Sequence, residues 1–106
     1  MTMIAVKAAG HARRVAAALE RLRIAVASRP GLGRETTTTS VSELTDGTCC
    51  VSREKTWLIE SDLAPALGGD GAAPSPAALV RAALGACLAM GYQLRAAEAG
   101  VALAAV

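Results

Sequence analysis

Apolar and polar positions along this chain change their spacing three times. Between residues 8 and 28, Val15, Leu19, Leu22 and Val26 recur at steps of four, three and four while arginines take the other faces. That period predicts an amphipathic helix. Pro30, Gly31 and Gly33 then break it. Glu35–Leu44 is dense in threonine and serine, which favour strand over helix, and Thr45-Asp46-Gly47 is a turn signal. Thr48–Ser52 and Thr56–Ser61 predict two further short strands joined through Arg53-Glu54-Lys55, so the three strands form an antiparallel meander. From Asp62 to Pro74 the composition turns to Gly, Pro, Asp and Ala, which predicts a loop.

The last third predicts a single long helix. Ser75 is placed to cap it, Pro76 fits its first position, and Gly100 stands just past its end. It is apolar on most faces, which predicts burial. A final strand is expected over Val101–Val106. The order of elements is therefore helix, three strands, long helix, strand. This is an α+β arrangement with the long helix on one face of the sheet. Residues 1–34 form a basic helical extension and 35–106 the core.

Composition adds a constraint on how such a core is filled. The chain has 106 residues, enough for one domain and too few for two. Apolar residues make up 53%, yet there is no Phe, one Trp and one Tyr. Alanine buries little area per residue, so an alanine-rich core needs close helix approach or a second chain. An oligomer is expected.

Charge is unevenly spread. Lys7, Arg13, Arg14, Arg21, Arg23, Arg29 and Arg34 face Glu20 alone in the first 34 residues, a net +6, and the remainder is −4. This admits an acidic partner or a solvated helix face. Basic charge without interleaved aromatic residues or a recognised motif argues against nucleic acid. Lys7 interrupts the apolar start, so no secretory signal peptide is expected. The longest uncharged run of the second helix, Ala82–Leu94, is short of the ~20 residues that cross a bilayer, so no membrane partner is expected. The three cysteines do not form a secreted disulfide framework, and a cytoplasmic, reducing location follows.

Few residues offer chemistry. His11 is alone and has no role. Gly68-Gly69-Asp70-Gly71 lacks both phosphate-loop and dinucleotide spacing. Cys49, Cys50 and Cys87 do not form a metal-ligand pattern, and neither metal nor cofactor is expected. Cys49 and Cys50 are strand neighbours and point to opposite faces, as two small hydrophobes would. Cys87 shares a helix face with Val80, Ala83, Leu84, Gly91 and Leu94. Gly85 and Gly91 each cost helix stability of ~1 kcal/mol relative to alanine, so a tight apolar seam against another backbone is expected there. Arg81 and Arg95 cannot reach Cys87 along the helix, so a cation that stabilises its thiolate would come from another segment or subunit.

The run from Gly68-Gly69-Asp70-Gly71 to Pro74-Ser75-Pro76, followed by Ala82-Ala83-Leu84-Gly85-Ala86-Cys87, resembles the OsmC/Ohr family of osmotically inducible and organic-hydroperoxide-resistance proteins. The meander, Trp57 and the Arg29-Pro30-Gly31-Leu32-Gly33 segment fit the same resemblance. It implies an intertwined homodimer with two central helices, and a role in oxidative-stress defence. It also implies a catalytic Cys87 that reduces organic hydroperoxides at the expense of a dithiol. The chain departs from the family pattern at three places. Ala77 stands where a Glu follows the helix-start proline, the Thr45-Asp46-Gly47 turn lacks an Arg, and the C-terminal half with the resolving cysteine is missing. Only Cys87 carries over, with Arg53 as a stand-in cation and Cys49 or Cys50 as a stand-in resolver. Two readings remain: a thiol-dependent hydroperoxide reductase, and a non-catalytic dimer that packs or holds a small hydrophobic ligand.

Overall fold

A computed structural model describes residues 2–33 and 37–105. It is α+β. Helix α1 spans Met3–Ser28 and helix α2 spans Pro76–Glu98. Strands β1 (Val41–Asp46), β2 (Cys49–Glu54) and β3 (Trp57–Ser61) form an open antiparallel sheet in the order β1-β2-β3. Single turns of 3-10 helix cover Pro30–Gly33 and Pro65–Leu67. The chain divides into two compact units, one of Met1–Thr36 with Gly85–Val106 and the other of Thr37–Leu84.

Both helices have ends set by local chemistry. The Thr2 hydroxyl accepts the Ala5 N–H at 3.1 Å, so α1 starts at Met3, five residues before the helix predicted from residue 8. It ends where Pro30 removes the next backbone donor. The Ser75 hydroxyl accepts the Ala78 N–H at 3.2 Å and caps α2 as expected. At its other end Gly100 has φ +75°, the left-handed conformation that favours glycine. The Val101 N–H reaches Ala96 O at 2.8 Å and the Gly100 N–H reaches Ala97 O at 3.1 Å, which together close the helix.

The meander is registered by pairs such as Ser42 with Ser52 and Ser52 with Ile59. The hydroxyls of Ser42 and Ser52 bond across the strands at 2.6 Å. β2 runs through Arg53-Glu54, so the connection to β3 is the tighter Lys55-Thr56 turn, in which Lys55 takes φ +53°. A bulge falls between Leu44 and Asp46, where Thr45 is the extra residue opposite Cys49.

Three expectations need correction. The first strand begins at Val41, and residues 37–40 have no regular structure; Glu35 and Thr36 lie outside the described residues. Residues 101–105 form no strand, and Val106 lies outside the described residues. The C-terminal cap of α2 ends the helix within one turn, and among the described residues the sheet has three strands. The third correction concerns burial. Within the single chain α2 is open, with Ala97 its one buried residue, and Val80, Leu84, Leu88, Met90, Tyr92 and Leu94 are exposed. Among the described residues no atom lies within 4 Å of a Cβ placed on Gly85 or Gly91, so none of their backbone fills the expected seam.

Among the described residues the buried apolar ones are Ala8 and Ala12 of α1 and Ala97 of α2, all within the first unit. Side chains this small bury little area, and none of the described large hydrophobes is fully buried.

Lys55 is the one described non-glycine residue with positive φ. The left-handed conformation costs roughly 1–2 kcal/mol for such a residue, partly offset by the entropy glycine loses on folding. Lys55→Gly is expected to stabilise the meander by about 0.5–1 kcal/mol, read as a raised midpoint in urea unfolding.

Candidate functional site

Cys87 lies in the middle of α2 and is exposed. The helical period puts it on one stripe with Val80, Leu84, Gly91 and Leu94. Of these Val80 is 68% and Leu84 61% exposed, so the stripe is an open apolar surface centred on a thiol. Among the described residues no hydrogen bond reaches the Cys87 sulfur, and no group of His, Cys, Asp and Glu is arranged to hold a metal ion. All three cysteines are free thiols. Arg53 sits on β2 between Val41 and Leu58 of the flanking strands, with its side chain exposed. Ala77, at the position after Pro76, adds no acid or base.

The segment leading into α2 is organised by a residue the sequence pattern did not single out, Asp62. It is only 2% exposed. One carboxylate oxygen accepts the Thr48 hydroxyl at 2.6 Å and the Leu63 N–H at 2.7 Å. The other accepts the Asp70 N–H at 3.2 Å and the Ala72 N–H at 3.1 Å. The Asp62 N–H in turn donates to Pro74 O at 3.2 Å. The whole glycine-rich loop is thereby wrapped around one carboxylate. Gly69 is required at its crossing point, because a Cβ there would overlap the Leu63 carbonyl. The sequence held one signal for this role. An aspartate directly after a strand, followed by a glycine-rich stretch, is the acceptor that turn N–H groups require.

The donors around Asp62, led by the Thr48 hydroxyl and the Ala72 N–H, hold its carboxyl well below the usual carboxylate range. Cys49 experiences the opposite effect. Partial burial, then the neighbouring Asp62 carboxylate, pushes its thiol pKa up, with Asp70 and Asp46 adding to the shift. Cys49 and Cys50 line a cleft of about 210 Å³ together with Asp46, Glu60 and Ser61. The acidic lining and the raised pKa keep Cys49 protonated at neutral pH, which disfavours it as an attacking or resolving thiol. His11 bonds to the Arg14 side chain on the surface of α1 and takes no further part.

A depressed folded-state pKa stabilises the fold above the unfolded value, near ~3.9 for Asp, and that stability is lost as pH falls below it. Asp62→Asn supplies one acceptor oxygen where two are used, and turns an NH2 group toward N–H donors. It is expected to lower the thermal midpoint at pH 7. It is also expected to flatten the fall in stability that the unaltered protein shows below about pH 4, both followed by circular dichroism.

No family model matches this chain, and neither a curated protein nor a solved structure does.

Proposed function

We propose that the chain is an OsmC-like homodimer in which α2 meets its copy and Cys87 reduces apolar organic hydroperoxides. The observation that carries this reading is the open stripe on α2. Val80, Leu84 and Leu94 are exposed around Cys87, and contiguous apolar surface of this kind marks a contact face. Gly85 and Gly91 leave room on the helix for a second backbone.

By length and composition alone α2 is also apolar enough to cross a membrane, with a mean hydropathy of 1.4 over its candidate stretch. Arg81 and Arg95 nevertheless bound the uncharged part, leaving about 20 Å of helix against a hydrocarbon core of about 30 Å. A protein partner suits that length better than lipid does.

In the proposed reaction the Cys87 thiolate attacks the distal oxygen of ROOH, the O–O bond breaks, and the alkoxide takes a proton from water and leaves as ROH. The resulting sulfenic acid is reduced by a dithiol. Its first thiol displaces water to form a mixed disulfide, and its second releases Cys87 as the disulfide of the reductant closes. Direct reduction by a dithiol removes the need for a resolving cysteine in the chain. A second reading, a non-catalytic dimer that packs or holds a hydrophobic ligand through α2, is favoured by one fact. Among the described residues no cation bonds to Cys87.

A peroxidase assay separates these readings, and sedimentation tests the interface they share. With dithiothreitol as reductant, the protein is expected to consume cumene hydroperoxide, and Cys87→Ser to be at the level of buffer; equal rates for the two would leave only the packing role. In sedimentation, a species of twice the 10.7 kDa chain mass is expected. Leu84→Glu removes two leucines from a twofold interface, each worth ~1.5–3 kcal/mol, so it should weaken the dimer at least roughly a hundredfold. A monomer for the unaltered chain removes the α2 interface.

A further inference from the structure

The face of α1 turned away from Ala8 and Ala12 carries a pattern that the proposed activity does not use. Successive residues of a helix are rotated by about 100°. Lys7, Arg14 and Arg21, seven residues apart, therefore form one row along the exposed side, extending over about 21 Å. Arg13 flanks it across a strip made of Val6, Ala17 and Ile24. All of these side chains are exposed, with Val6 at 53% and Ile24 at 57%. The one acid of the helix, Glu20, is engaged by Arg23 at 2.6 Å. Lys7, Arg13, Arg14 and Arg21 have no carboxylate partner among the described residues.

We propose that this face of α1 docks on an anionic lipid surface, with Val6 and Ile24 entering the headgroup boundary and Lys7, Arg14 and Arg21 meeting lipid phosphates and carboxylates. Charge complementarity selects a polyanion. The apolar strip between the cations selects lipid over nucleic acid, because aliphatic side chains gain from burial in the acyl boundary and offer nothing to a base edge. The absence of aromatic residues from α1 points the same way, since stacking is how single-stranded nucleic acid is held. The short uncharged stretch of α2 bears only on spanning a bilayer. A helix lying in the interface plane is bound by no such requirement.

The test is flotation of the full chain with vesicles of phosphatidylcholine alone, or with about one-third phosphatidylserine. Binding is expected to the anionic vesicles only and is expected to disappear at high salt, as screening of surface charge requires. The triple variant Lys7→Gln, Arg14→Gln, Arg21→Gln should bind roughly a hundredfold more weakly, at about 1 kcal/mol per cation. The pair Val6→Ser and Ile24→Ser should weaken binding at unchanged charge. These positions are exposed, so helicity by circular dichroism should be retained; the salt titration of the unaltered protein is an independent readout should a variant lose it. No flotation at low salt overturns the proposal, as does equal flotation with neutral vesicles. Duplex DNA binding of equal strength, indifferent to the serine substitutions, would assign the face to nucleic acid instead.

Discussion

The carboxylate of Asp62 is the fixed point of the segment between sheet and helix. Four donors converge on it: the Thr48 hydroxyl from the β1–β2 turn, and the N–H groups of Leu63, Asp70 and Ala72. A nearly buried carboxylate without such partners would lose its hydration with no compensation. With them, it is held ionised and the loop is tied to it through three backbone donors. That conformation ends at Pro74, whose carbonyl accepts the Asp62 N–H, and Ser75 begins α2 at once. The direction in which α2 leaves the loop follows from this one acceptor.

What the chain does not bury is equally informative. The core of the first unit is made of alanines, and alanine contacts leave leucine, valine and methionine side chains outside. On α2 these side chains surround Cys87; on α1 they alternate with cations. The two exposed faces differ in chemistry. The α2 stripe is uncharged between Arg81 and Arg95 and suits another apolar helix, whereas the α1 face carries a charge row and suits an anionic surface.

The three thiols are differentiated by their surroundings rather than by their identity. Cys49 lies beside Asp62 and is biased toward the protonated form by partial burial and negative neighbours. Cys87 stands exposed on a helix surface, where solvent can reach it. Pairing of α2 with a second copy would change that access, so in the proposed dimer the interface and the chemistry of Cys87 are coupled.

The sequence by itself determined the features that depend on residues close in the chain. Ser75, Pro76 and Gly100 bounded α2 through caps that act within one turn, and the Thr/Ser-rich stretch followed by short turns placed the meander. α1 starts ahead of its apolar period because the Thr2 cap lies outside that period, and the Asp62 cluster is not a local pattern because its donors come from as far as Thr48 and Ala72. Only the tertiary structure decided which apolar faces found a partner. Hydrophobic period reports that a face is suited to burial, yet burial requires another surface at the right place, and here alanine packing at Ala8, Ala12 and Ala97 leaves the α2 stripe open. The same reason removed the expected last strand, since a strand needs a neighbouring ladder and residues 101–105 pair with none among the described residues.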